Sequence, residues 1–318
     1  MANPTNDTSS PIEVKTITVI GAGTMGRGIA AVAAQGGYRT ILEDVSAQSL
    51  EKAVKWIAES LEEGVQRGKL SAEVRDQALA RIETSRDIEN SIHEADLTIE
   101  AVPEEMETKL EIFTLLDKFA KPRAILASNT SSLSVTEMAA ITFRPEFCIG
   151  MHFFNPVPKM KLLEIVRALE TSEATLAACV EVGKRMGKEV VVVRESPGFI
   201  TSRINAMIGN EAFYMLQEGI ASAGDIDKAL KLGLNHPMGP FELVDLVGLD
   251  VRLSILEYLQ KSLGEKYRPC PLLAQYVKAG RLGRKSGRGV YDYPKSGDSG
   301  KPGDAGKPAG EGKASEKS

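Results

Sequence analysis

The stretch Thr16–Gly28, TITVIGAGTMGRG, decides the fold. Its first half, Ile17 to Ile20, is a short apolar run of the kind that forms a buried strand. Gly21-x-Gly23-x-x-Gly26 follows at once, with Thr24 and Met25 inside it, and the small residues from Gly26 to Gln35 read as a helix. A strand, a glycine turn and a helix in that order form a dinucleotide fingerprint. The first glycine makes the tight turn, the second lets backbone approach a pyrophosphate, and the third lets helix and strand pack closely. The free N–H groups and the positive dipole end of the helix then face the phosphates. A second strand, Thr40 to Glu43, ends at Asp44, near the spacing at which a carboxylate meets the adenine ribose. A carboxylate there repels a 2′-phosphate, so the expected cofactor is NAD and not NADP.

Outward from this turn, short apolar runs alternate with amphipathic helical stretches. Helices are expected over Ser49–Gly64, Ser71–Ala80 and Glu105–Ala120. Strands are expected at Leu97–Val102, Ala124–Ala127, Phe147–His152 and Glu189–Val193. That alternation predicts an α/β Rossmann-type, parallel, doubly wound sheet with its ligand beyond the carboxyl ends of the strands. After Ser196-Pro197-Gly198 the pattern turns helical, and Asp225 reads as a helix N-cap. The expected organisation is a disordered tail over 1–14, a dinucleotide-binding domain over 15–196, an all-helical C-terminal domain over 197–294 for substrate and dimerisation, and a disordered tail over 295–318. The last segment is rich in Gly, Lys, Ser and Pro and has no large apolar residue with which to offset its ordering entropy.

Composition narrows the partners. The 39 basic and 43 acidic residues leave a net charge of −4, which argues against a nucleic-acid or anionic-membrane partner. Cys148, Cys179 and Cys270 are odd in number and far apart, so they suggest free thiols in a reducing compartment, with no metal spacing and no disulfide framework. The N-terminus lacks a basic region followed by an apolar one, and no apolar run reaches membrane-spanning length. A cytoplasmic location is expected.

Of the three histidines, His93 lies in a polar stretch and His236 precedes a proline. His152 instead ends an expected strand, in MHFFNPVP, and so points at the crevice. Asn155 follows three residues on. Glu164, in KLLEIV of the next expected strand, can hydrogen-bond the imidazole. A histidine whose cation is stabilised by a carboxylate is a general base; equally, Glu164 reads as a solvated charge. Ser128 to Ser132 follow another strand and bring hydroxyls to the same crevice, or cap the next helix. Carboxylates in EAVPEEMETK, together with Lys109, are within reach of the nicotinamide half.

Taken together, GAGTMG, the Glu104/Lys109 pair, ASNTSSL, HFFNPVPKMKLLE, SPGFI and HPMGPFELVDLVGLD resemble the 3-hydroxyacyl-CoA dehydrogenase family over roughly residues 15–293. The resemblance implies a catalytic His152 with Glu164 as its partner, Ser131 near the substrate hydroxyl and Asn155 close to both ligands. It implies that Asp44, Glu104 and Lys109 hold NAD, that Ser60 and Arg67 meet the CoA moiety of an acyl-CoA substrate, and that the helical domain forms a homodimer. One position departs: Ser202 stands where the family often has Asn, and Asn205 lies one helical turn on. Two other readings stay open at this point. One is a dehydrogenase of a free 3-hydroxy acid or sugar acid. The other is a non-enzymatic dinucleotide-binding structural protein.

Overall fold

The computed structural model describes residues 10–293, in two compact units that meet in sequence at Phe199 and Ile200. The expected tail from 295 lies outside the described residues. Residues 10–14, expected within the first tail, are placed instead: Val14 is buried in the main core and Ile12 packs on it. These two side chains are apolar and alternate, which suits a strand-like entry to the sheet.

The first unit is a sheet with helices. Its strands are β1 Thr16–Ile20, β2 Arg39–Glu43, β3 Ile82–Ser85, β4 Leu97–Glu100, β5 Ile125–Ser128, β6 Cys148–Phe153, β7 Leu162–Arg167 and β8 Glu189–Arg194. Its helices are α1 Thr24–Gln35, α2 Ala47–Gln66, α3 Ala72–Ala80, α4 Ile88–Glu94, α5 Met106–Phe119, α6 Val135–Ala140 and α7 Glu173–Arg185. The spatial order is β3-β2-β1-β4-β5-β6-β7-β8, so the strand order reverses between β1 and β4, where such sheets bind ligands. All five residues of β1 are buried, as expected of a parallel strand covered on both faces.

Two elements differ from the parallel pattern read in the sequence. β3 is a short edge strand, IETS, whose single apolar residue gives no run to detect. β7 pairs antiparallel with β6. Only residues 154–161 join them, too few for the crossover of a dozen or more residues that a parallel pair requires. The chain therefore turns straight back, and the parallel order resumes between β7 and β8.

The second unit is helical: α8 Thr201–Gln217, α9 Ala223–Gly233, α10 Pro240–Val247, α11 Leu249–Leu263 and α12 Pro271–Lys278. Its core gathers Phe213, Phe241, Leu256, Tyr267 and Leu273. The N-cap of α9 is Ser222, not the expected Asp225. Asp225 sits three residues into the helix, and its carboxylate takes the Ser222 hydroxyl at 2.6 Å while the Ser222 oxygen accepts from Asp225 N. The HPMGPFELVD segment is a framework here. Asp227 accepts from Phe241 N, Glu242 N and the Tyr291 hydroxyl, and Asp245 accepts from Val290 N, Tyr291 N and the Tyr293 hydroxyl. Burial raises both carboxyl pKa values. Among the described residues no helix is long and apolar enough to cross a membrane.

Candidate active site

At the carboxyl end of the sheet the glycine turn is built as its sequence requires. Gly21 has φ +99°, and a Cβ there would meet Ala101 O at 2.9 Å. A Cβ on Gly26 would meet Gly21 O at 1.7 Å, so only glycine closes helix onto strand. Gly23 faces open space, and α1 carries neither a side-chain cap nor an acidic residue in its first turn. Its first N–H groups are thus free to receive a pyrophosphate. Asp44, beyond β2, accepts from Ala22 N at 2.8 Å and from Ser46 N at 2.8 Å, so this carboxylate is tied to the turn itself. These residues fit a dinucleotide. Beside it Glu43 is buried, its Oε1 has no hydrogen-bond partner among the described residues, and burial, with Asp44 and Asp87 nearby, pushes its pKa up to about 7.

The strand ends after β4 and β5 interlock. Glu100 accepts from the Lys109 ammonium at 2.7 Å and from the Ser128 hydroxyl at 2.6 Å. Lys109 is 1% exposed and also lies 3.3 Å from Glu104. Glu104 in turn accepts from the Thr130 hydroxyl at 2.6 Å, Ser131 N at 2.7 Å and Ser132 N at 3.2 Å. Lys109 is therefore the buried anchor of Glu104, and Glu104 is the clamp on the 130–132 loop.

His152 lies in β6 directly opposite Glu164 in β7. Opposed residues of an antiparallel pair project to the same face, and here Nδ1 lies 2.7 Å from Glu164 Oε2. An ionised carboxylate can only accept, so the ring proton sits on Nδ1 and Nε2 is the nitrogen left for chemistry. Both side chains are buried. The imidazole lies between Phe154, at 4.4 Å between ring centroids, and Phe199, at 5.7 Å. Asn129 Oδ1 accepts from Phe153 N at 2.9 Å and so joins the loop after β5 to the strand that carries His152. Asn155 follows, exposed, before a cis peptide to Pro156. Lys188, its pKa lowered to about 8 by burial, donates to Val157 O and Met160 O and fixes the loop beyond.

Both units match known protein families. Residues 16–196 match the NAD binding domain of 3-hydroxyacyl-CoA dehydrogenase, and residues 198–293 match its C-terminal domain. The chain belongs to the 3-hydroxyacyl-CoA dehydrogenase family. It is 48% identical to a probable 3-hydroxybutyryl-CoA dehydrogenase of Bacillus subtilis, over 89% of this chain and 98% of that one. It is 42% identical to the mitochondrial hydroxyacyl-coenzyme A dehydrogenase of Homo sapiens, over 89% and 92%. Its fold is similar to the crystal structure of (S)-3-hydroxybutyryl-CoA dehydrogenase from Ralstonia eutropha, with a TM-score of 0.85 and 44% identity over 89% of this chain and 100% of that one. The first unit is thus an NAD-binding domain of this family.

Within that unit the residues singled out in the sequence fall into three groups. Gly21, Gly23, Thr24, Met25, Gly26 and Asp44 form the turn. Glu104, Lys109 and Ser131 form the clamp, and His152, Glu164 and Asn155 lie on β6, β7 and the loop between them. Ser60 and Arg67 lie on the second half of α2 and at its C-cap. Ser202 belongs to the helical unit, on α8. Glu100, Asn129 and Phe199 were not singled out. Glu100 and Asn129 stand at strand ends inside segments already quoted. Phe199, with φ +49°, is marked by the preceding Pro-Gly.

Proposed function

We propose that this chain catalyses reversible NAD-dependent oxidation of a (3S)-3-hydroxyacyl-CoA, short-chain such as 3-hydroxybutyryl-CoA, to the 3-oxoacyl-CoA, with His152 as general base. The observation that carries this reading is the buried His152–Glu164 pair at 2.7 Å, on the strand that leads into Asn155. The substrate class is taken from the names of the relatives above.

Nε2 of His152 removes the proton of the 3-hydroxyl. Bound NAD supplies the acceptor for the hydride that leaves C3. Glu164 keeps its charge, holds the ring in the productive tautomer and stabilises the imidazolium. In the reverse direction His152 returns the proton to the carbonyl oxygen. Ser131 and Asn155 position the substrate hydroxyl from the two loops that flank His152. Gly21, Gly23, Thr24, Met25 and Gly26 receive the pyrophosphate and Asp44 the adenine ribose. Glu104 meets the nicotinamide half, and Lys109 serves the cofactor by anchoring Glu104. Ser60 and Arg67 take the CoA moiety, and Ser202 is a candidate substrate contact. The helical unit forms a homodimer, and the enzyme works in the cytoplasm.

A rate comparison tests the substrate class. NADH formation from (S)-3-hydroxybutyryl-CoA is expected to exceed that from free 3-hydroxybutyrate by orders of magnitude in kcat/KM. Equal rates would assign the chain to free hydroxy acids, and no turnover of either would leave a binding protein.

A further inference from the structure

The loop between β6 and β7, residues 154–161, carries Asn155 and runs NPVPKM from there. Pro156 and Pro158 have no N–H to give, so the loop is held largely through its carbonyls. Lys159 N and Met160 N both donate to Pro156 O, which makes the segment after Asn155 a single closed turn. Val157 is buried in the main core, where a Cβ on Gly28 of α1 would meet it at 2.8 Å. Asn155 itself is exposed, so its position follows from whatever holds this turn.

One side chain does so. Lys188, between α7 and β8, donates its ammonium to Val157 O at 2.5 Å and to Met160 O at 2.8 Å. Its own backbone is fixed by Lys188 N on Gly183 O, and the next residue by Glu189 N on Lys161 O. Lys188 is 7% exposed, and among the described residues no carboxylate pairs with it; burial alone lowers its pKa to about 8. An ammonium taken out of water without a counter-ion is costly, and an apolar side chain of similar volume often serves a fold as well or better. Stability of the fold therefore does not account for a lysine here. What a lysine does and a methionine cannot is hold two carbonyls of one loop at fixed positions. The neutral amine still has two N–H groups, so this grip persists on both sides of that pKa. His152 is fixed separately, by its strand and by Glu164.

We propose that Lys188 is a positioning residue for the reaction: by gripping Val157 O and Met160 O it sets Asn155 against the bound ligands. The inference rests on the role given to Asn155 above and adds the side chain that makes an exposed asparagine precise.

The test is a double-mutant cycle on kcat for oxidation of (S)-3-hydroxybutyryl-CoA, followed as NADH formation per NAD-binding site. Lys188→Met is expected to lower kcat about tenfold and to leave the NAD dissociation constant within about twofold. In the Asn155→Ala background the same substitution is expected to change kcat by less than about twofold, because the group it positions is already gone. Lys188→Gln, which keeps an N–H donor on a shorter stem, carries the same cycle at smaller amplitude and serves should Lys188→Met not fold. The inference is overturned if the loss is the same in both backgrounds, which marks a purely structural lysine, or if neither Lys188 variant lowers kcat. Failure of the underlying reading looks different: Asn155→Ala then keeps full turnover, or the unmodified protein has none, and the role of Lys188 falls with it.

Discussion

Glu43 ends β2 with its carboxyl buried, one oxygen unpartnered and two further carboxylates nearby. Burial favours the protonated form, so the folded chain holds this proton up to about pH 7 while the unfolded chain releases it near 4.5. Between those values the native state binds more protons than the unfolded state, and stability falls as pH rises. Glu43→Gln keeps the shape and removes the charge. It is expected to match the unmodified protein below pH 4.5 and to exceed it above pH 7 by roughly 3 kcal/mol in urea unfolding. A stability difference that does not change with pH would contradict this account of Glu43. The residue was legible in the sequence only as a neighbour of Asp44. Nothing in ILED says which of two adjacent carboxylates turns inward; register and the covering of the sheet decide that. Lys109 is similar. The sequence places it in the cofactor region, but only the fold shows its ammonium buried between Glu100 and Glu104.

Elements carry the site through two close approaches. The first is the β6–β7 reversal, which sets His152 against Glu164. Both strands were legible as apolar runs, and so was the pairing of these two residues as chemistry. Their antiparallel sense was also recoverable, since the link between HFFNP and KLLEIV is too short for a crossover. Edge strand β3 was not, because one apolar side chain leaves no periodicity. The second approach is α1 against the loop after β6. Gly28 lies beyond the glycine fingerprint, yet a methyl there would meet Val157 Cβ at 2.8 Å and Cγ2 at 2.9 Å. Neither atom is the free end of a flexible chain. Gly28→Ala is therefore expected to lower the unfolding free energy by about 1–3 kcal/mol, despite the gain in helix propensity. Unchanged or higher stability in urea would show that the loop yields freely.

On the scale of the molecule, the change from alternating strands and helices to helices alone was legible, because it is a change of period. The capping of α9 was less so: the sequence offers Ser222 and Asp225 in one turn, and both take part. The helical unit exposes large apolar side chains, among them Ile220 at 64%, Leu232 at 77% and Leu234 at 66%. Exposed apolar surface of this kind supports a homodimer. Sedimentation is expected to give twice the chain mass of 34.3 kDa, and Leu232→Glu with Leu234→Glu to reduce it to that mass. A monomer at all concentrations would contradict the dimer. The central claim, however, is chemical: His152, set by Glu164, moves the proton of the reaction. The direct measurement is turnover of (S)-3-hydroxybutyryl-CoA by His152→Gln beside its NAD dissociation constant. The account predicts a loss in kcat of about 10²- to 10⁴-fold with NAD affinity retained. Near-normal turnover by that variant would contradict it.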